Sequence, residues 1–310
     1  MKNILVVGSV AFDAIETPFG KTDKIVGGSG SYISLAASYL NKNGATNLVG
    51  VVGEDFLKED IEMFKNRGVN VDGLQIKEGE KSFFWSGKYH IDMNTRDTLV
   101  TELNVLENFD PIIPDAYQNT DYLMLGNLAP SVQMQVINRL EKRPKLVILD
   151  TMNFWMDIAL DDLHKTMKKI DVLSINDEEA RQLSGEYSLV KAARKILKMG
   201  PKVLVVKKGE HGALLFNEHE VFFAPALPLE EVFDPTGAGD TFAGGFIGYL
   251  AATDDISFEN MKRAIIFGSA LASFCVEKFG TEKLKDLSIE ELNGRVLEFL
   301  DLTQIDIVLS

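Results

Sequence analysis

The chain alternates between two kinds of segment. Residues 4–7, 48–52, 122–125, 146–149, 172–175 and 203–206 form short, mainly apolar runs, and runs such as 203–206 show no polar alternation. Such runs predict strands covered on both faces, as in a parallel sheet lying between helices. Between them, apolar positions return at helical spacing over 32–40, 56–66, 131–140, 178–183 and 189–199. Residues 41–44 should stop the first helix, and Arg67-Gly68 should close the second with a glycine C-cap. Strands alternating with helices predict an α/β fold, doubly wound around a central, mostly parallel sheet with helices on both faces.

Two stretches, 11–26 and 71–100, break that rhythm and carry no helical pattern. In the second, Phe83, Trp85 and Tyr89 fall on one parity of an extended strand, with Gly87 between them. A long non-helical excursion beside an α/β core predicts a small β lid. The aromatic stripe would either face a ligand or cover the lid. Further on, 264–276 is an apolar helix rich in small residues. Ser288-Ile289-Glu290-Glu291 then has capping-box spacing ahead of a final amphipathic segment.

Length and composition narrow the class. A chain of 310 residues allows two units, and is also an ordinary size for one α/β domain. Hydrophobic residues at 45% and charged residues at 25% are globular values and exclude a disordered chain. Acidic residues number 46 against 32 basic ones, a formal charge of -14, which disfavours binding to nucleic acid or an anionic membrane. A local pocket can still hold a small anion. The single cysteine, Cys275, sits in an apolar run and reads as a buried small hydrophobe. The first apolar run is too short for a signal peptide and is soon followed by Asp13 and Glu16. No window approaches 18 apolar residues, so a cytoplasmic protein without a membrane span is expected.

The strongest chemical signal is Asp234-Pro235-Thr236-Gly237-Ala238-Gly239-Asp240-Thr241-Phe242-Ala243-Gly244-Gly245-Phe246. Small residues leave the amides of 237–240 open, and the segment that follows reads as a helix. A glycine-rich turn feeding a helix N-terminus makes an anion site, because unpaired amides and the helix dipole point at the ligand. Asp240 falls among those amides. It would cap the helix or take a proton from a hydroxyl while the amides hold charge on a transferring phosphoryl group. The neighbouring amides should keep it ionised.

These residues resemble the C-terminal signature of the pfkB carbohydrate kinases, the ribokinase-like family. Other segments follow in that family's order. Gly8-Ser9-Val10-Ala11-Phe12-Asp13 resembles its first strand, ending in a substrate-contacting aspartate, and Gly27-Gly28-Ser29-Gly30 its N-terminal di-glycine hinge. Gly53-Glu54-Asp55 with Gly68-Val69 resembles the next pair of turns. Asn176-Asp177-Glu178-Glu179 matches its N-x-x-E motif, and Lys207-Lys208-Gly209-Glu210-His211-Gly212 its nucleotide-site turn. The likeness runs from about residue 4 to 281. It implies one ribokinase-like domain over 1–310, with lid strands from about 11–26 and 71–100.

The resemblance implies ATP-dependent phosphotransfer to a hydroxyl of a sugar or sugar-like molecule; an adenosine-like nucleoside is the alternative acceptor. Asp240 would be the base, and Gly237, Ala238 and Gly239 the anion hole. Asn176 and Glu179 would hold Mg²⁺ and the phosphates, largely through water. Lys207, Gly209, Gly212, Thr236 and Gly268 would line the ATP side, and Asp234 corresponds to a monovalent-cation site, K⁺ in many relatives. Asp13, Gly27, Gly28, Tyr32, Arg96 and Asn153 would face the acceptor. Two departures stand out. Tyr32 occupies the place where relatives commonly carry an asparagine, predicting a reshaped pocket. Asp150-Thr151-Met152-Asn153-Phe154-Trp155 stands where the family often has D-x-N-x-R, with Asn153 displaced by one and the arginine missing. Arg96 is a candidate to supply that charge from the lid. Relatives often pair lid strands, so the resemblance offers a homodimer through the lid, with a monomer as the alternative.

Rival readings have weaker support. A dinucleotide-dependent oxidoreductase lacks G-x-G-x-x-G in the first βα turn. There is no G-x-x-x-x-G-K-[ST], no H-E-x-x-H and no G-x-S-x-G, and the four histidines show no metal spacing. A non-catalytic sugar or nucleotide sensor on the same scaffold is opposed by the intact Asp240.

Overall fold

The computed structural model describes residues 2–304. The strands are β1 (Ile4–Val7), β2 (Ala11–Thr17), β3 (Gly20–Lys21), β4 (Ile25–Gly27), β5 (Thr46–Gly53), β6 (Val69–Lys77), β7 (Phe83–Tyr89), β8 (Arg96–Glu102), β9 (Tyr122–Leu125), β10 (Leu146–Asp150), β11 (Val172–Asn176), β12 (Val203–Lys207), β13 (Ala213–Phe216) and β14 (Val221–Ala224). Among the described residues a nine-stranded sheet runs β14-β13-β12-β11-β10-β9-β1-β5-β6. Its strands are parallel from β6 to β12, and β13 runs antiparallel to both β12 and β14.

Why these runs are featureless in sequence is clear from the packing. In β1, Ile4 and Val6 enter one apolar layer and Leu5 and Val7 the other, so neither face has room for a polar residue. The first layer includes residues of helices Ser29–Leu40, Ala238–Thr253 and Phe258–Cys275; the second those of Pro130–Arg139, Leu160–Met167, Asp177–Ser184 and Leu189–Leu197. Each buried aliphatic side chain contributes about 1.5–3 kcal/mol over its exposed state. The two expected stops are present: the helix Ser29–Leu40 ends at Asn41, and Gly68, at φ 77°, turns the chain after Lys58–Asn66. Ser288 and Glu291 cap each other's backbone ahead of Ile289–Thr303.

The chain passes from β1 to β5 on one side, then returns to β9 on the other. This reversal beside β1 is where open α/β sheets bind ligands, past the carboxyl ends of the strands. Over that edge stands a second sheet, β3-β2-β7-β8, with β4 also on β2. It holds residues from both helix-free stretches. The second stretch divides, however: β6 pairs in parallel with β5 and belongs to the main sheet, so the lid resumes only at Phe83. The half-exposed pattern of β6 reflects its edge position and hides it among lid residues when only the sequence is read.

Candidate active site

Three neighbouring parallel strands end in Asp150 (β10), Asn176 (β11) and Lys207 (β12). Asn176 lies opposite Lys207 in register. Lys207 Nζ reaches back across β11 to Asp150 Oδ2 at 2.6 Å, and both side chains are largely buried. Asn176 also starts the helix Asp177–Ser184. Its Oδ1 accepts the Glu179 amide and Glu179 Oε2 accepts the Asn176 amide, each at 2.8 Å. This reciprocal cap fixes both side chains and leaves Glu179 Oε1 without a hydrogen bond from the described residues. Burial is the main reason that the Glu179 carboxyl is pushed up to about 7.

The anion turn approaches the same edge. Gly237 has φ 75°, a left-handed conformation that suits glycine, and starts the helix Ala238–Thr253. A Cβ there would stand 2.4 Å from the Tyr32 ring, and one on Gly239 would stand 3.1 Å from Lys207 Nζ. The turn is braced from behind: Asp234, fully buried, accepts Thr236 N at 2.8 Å and Gly280 N at 2.9 Å. Asp240 lies on the first turn of the helix and receives no hydrogen bond from the described residues. The expectation that amides keep it ionised is thereby corrected. Burial, then the charge of Asp150, push its carboxyl up to about 7, while Lys207 and Arg96 pull the other way.

On the lid side, Asp13 is not at the end of β1. It lies within β2, opposite Trp85 of β7 and Ile25 of β4. It is only 5% exposed, and burial pushes its carboxyl up to about 7. Its Oδ2 would lie 1.8 Å from a Cβ on Gly27, so glycine is required there for close approach. Gly28, at φ 89°, begins the helix Ser29–Leu40, whose first amides bond to Ser9: Ser29 N to Ser9 Oγ at 3.0 Å and Gly30 N to Ser9 O at 2.8 Å. Tyr32 follows on that helix, 1% exposed, with its hydroxyl buried and unpartnered among the described residues.

The aromatic stripe faces inward at its far end. Tyr89 is buried, and its hydroxyl accepts from Thr236 Oγ1 at 3.1 Å and from Arg96 Nη1 at 3.4 Å. Arg96 acts electrostatically on Asp13, Glu179 and Asp240. Trp85 folds over Gly87, where a Cβ would stand 2.1 Å from the ring. Asp240, Lys207, Glu179, Asp150, Arg96, Asp13, Tyr32, Tyr89 and the anion turn thus belong to one site.

Four expected residues make mainly local contacts. Gly268 is at a helix crossing, its Cβ position 2.7 Å from Phe242 O and its Cα 2.8 Å from the Cβ position of Gly245, so its smallness serves this packing. Asn153 is exposed, and its Oδ1 accepts the Phe154 amide. Gly212, at φ 88°, shapes the turn, where a Cβ would meet Ala224 O at 2.0 Å. Gly209, at φ 53°, faces Asn94 of the lid loop, 3.0 Å from its Cβ position. Two features lie beyond the sequence reading. Asp150 is visible there as the acid that fits the start of D-x-N-x-R, but its pairing with Lys207 spans 57 residues and is not. Asn127 carries no signal there; its side chain ties Trp155 Nε1 at 2.8 Å and Met152 Sδ at 3.0 Å.

A mostly parallel sheet covered on both faces, a β lid across its carboxyl edge and a glycine turn presenting an acid define a ribokinase-like fold. The nucleoside kinase of Methanocaldococcus jannaschii superposes with a TM-score of 0.76 at 20% identity, over 96% of this chain and 99% of that one. The ribokinase of Arabidopsis thaliana, complexed with ribose and ATP, gives 0.74 at 22% identity over 96% and 99%. A cytidine kinase of Thermococcus kodakarensis is 30% identical over 256 residues, 80% of this chain and 89% of its own. The profile of the pfkB family carbohydrate kinases matches residues 1–286, and the chain belongs to that family of phosphotransferases with alcohol groups as acceptors.

Proposed function

We propose that this protein transfers the γ-phosphoryl group of ATP to a hydroxyl of a sugar or of the sugar moiety of a nucleoside, with Asp240 as the base. One observation carries the reading: a half-buried carboxylate without a hydrogen-bond partner among the described residues stands on the first turn of a helix, beside open glycine amides and within the fields of the Lys207 and Arg96 cations. A carboxyl near 7 is matched to proton transfer at neutral pH. ATP supplies the phosphoryl group and its own negative charge. The Ala238 amide is taken by Pro235 O at 3.2 Å; the amides of Gly237 and Gly239 find no acceptor among the described residues and hold oxygen charge, and no side chain on Gly239 separates the turn from Lys207. The single open oxygen of Glu179 suits a Mg²⁺ that keeps most of its waters. A K⁺ beside Asp234 would share oxygens that already accept Thr236 N and Gly280 N, and no step is routed through it.

On the acceptor side, Asp13 accepts hydroxyl hydrogen bonds, Gly27 and Gly28 let the backbone come close, and the Tyr32 hydroxyl offers a donor. Burial raises the phenol well above its usual value, so it stays protonated. Thr236 and Tyr89 tie the lid to the anion turn. The likeness to a cytidine kinase favours the nucleoside form of the acceptor. A homodimer through the lid is part of this reading, supported by the exposed edge strand β8, as is a cytoplasmic location; no helix among the described residues is long and apolar enough to cross a membrane.

The test is ADP release with MgATP over pentoses, hexoses, cytidine, adenosine and cyclitols. Saturable, acceptor-dependent release is expected. Ligands that raise the melting temperature while none stimulates ADP release would instead identify a sensor.

A further inference from the structure

Lys207 is more than a neighbour of phosphate. Its ammonium has three N–H donors. Asp150 Oδ2 takes one at 2.6 Å, and the other two find no hydrogen-bond partner among the described residues. The group is nevertheless mostly buried, at the end of β12, and is held against the anion turn 3.1 Å from where a Gly239 Cβ would stand. Asp150, Glu179 and Asp240 surround it with negative charge. A buried cation with one short bond and two open donors, aimed at a glycine cradle, is built for an anion that arrives later. The short bond to Asp150 also sets where the ammonium points, because strand ends β10 and β12 are fixed by their parallel neighbour β11.

We infer that Lys207 is a catalytic residue of the phosphotransfer, binding the transferring phosphoryl group through its two open N–H donors, and that Asp150 is the positioning residue that aims it. The inference rests on the phosphotransfer reading above. In the step, the acceptor oxygen forms a bond to the γ-phosphorus as the bond from that phosphorus to the bridging oxygen breaks. The hydroxyl proton passes to Asp240, and the electron pair leaves with ADP. Lys207 keeps all its protons. It ends a strand of the main sheet rather than standing on the lid, and offsets charge there without waiting for closure.

The experiment compares Lys207→Met, Asp150→Asn and the double variant. The first readout is turnover with MgATP and whichever acceptor the wild type uses. The second is affinity for ADP alone and for ADP with aluminium fluoride, a mimic of the phosphoryl group in flight. Lys207→Met should lower kcat about 10²–10³-fold, the scale of one lost charge-stabilising donor. It should bind ADP within a few-fold of wild type yet lose most of the gain that aluminium fluoride brings. Asp150→Asn keeps the cation and should lose less of that gain. The double variant separates catalysis from structure. Removing one partner of a buried pair leaves an uncompensated charge, and removing both relieves it. If Lys207 only serves the fold, the double variant recovers turnover relative to Lys207→Met; if it acts on the phosphoryl group, the double variant stays as slow. Recovery in the double variant, or an unchanged response of Lys207→Met to aluminium fluoride, overturns the proposal. A wild type that releases no ADP with any acceptor overturns the underlying reading instead.

Discussion

The two sides of the site are built differently. On the core side, Asp150, Asn176 and Lys207 close neighbouring parallel strands, and Glu179 is locked by its cap. Their bonds are short, between 2.6 and 2.8 Å, and their strands are buried. On the lid side, Arg96 lies on β8, exposed along its whole length, and reaches its nearest partner, Tyr89, at 3.4 Å. The core therefore presents charge in a fixed arrangement, and the lid presents it on a strand with little to hold it. The difference suits a reaction in which ligands enter past the lid and meet groups already in place. Pre-organised charge costs no reorganisation as the reaction proceeds, whereas charge on a lid completes the site only once it closes.

The largest effect should come from Asp240, where the two sides meet. Replacing it with asparagine removes the base while keeping its shape, and positioned base catalysis is typically worth about 10²–10⁴-fold. Turnover should fall by at least that order, with far-ultraviolet circular dichroism unchanged. A variant with near-full turnover would exclude Asp240 as the base and leave its place near two cations without a role.

The next effect tests the lid alone. Arg96→Ala removes a cation that faces Asp13, Glu179 and Asp240 but packs little of the core. A hydrogen bond to a charged group contributes about 1.5–3 kcal/mol, so kcat/KM for the acceptor should fall roughly 10–100-fold. The melting temperature should hardly move. If Arg96→Ala instead lowers stability as far as a core substitution does, the lid is a structural wall and the contrast with the core fails. If it leaves kcat/KM untouched, the charge that acts on the reacting group comes from Lys207 alone.

The same contrast explains what the sequence shows and what it conceals. The core strands are legible because burial on both faces imposes an apolar run, as in Val203 to Val206. The anion turn is legible because only small residues leave its amides open. The lid is legible only as a lack of helix, and β6 was lost within it because an edge strand alternates like a lid strand. Distances across the chain are the least visible: nothing near Asp150 announces Lys207, and nothing near Asp13 shows that Gly27 lies under its carboxylate. Asp240 itself is legible, but its ionisation is not. That property depends on burial and on Asp150, neither of which its neighbours in sequence reveal.

The smallest effect is a pH dependence of stability that the crowded acids impose on the ligand-free protein. Asp13, Glu179 and Asp240 are each pushed up to about 7 on folding, chiefly by burial. Between the ordinary carboxyl range near 4 and about 7, the folded chain holds protons that the unfolded chain has released. Stability rises with pH only where the unfolded state binds more protons; here the folded state binds more, so stability must fall as pH climbs through that window and level off above it. Acids of the opposite kind, such as Asp254 and Glu291, both drawn down to about 2, lose their contribution only below the ordinary carboxyl range and do not interfere. Moving the ligand-free protein from pH 8 to 5.5 should therefore raise its melting temperature by roughly 2–4 °C, the response of a large domain to about 1 kcal/mol. The decisive quantity is the difference from Asp240→Asn, which shares every other ionisable group and lacks this one acid. That variant should start higher at pH 8 and climb less on acidification. Parallel curves for the two proteins would mean that Asp240 is ionised throughout, and that the core side of the site is less crowded with charge than its geometry implies.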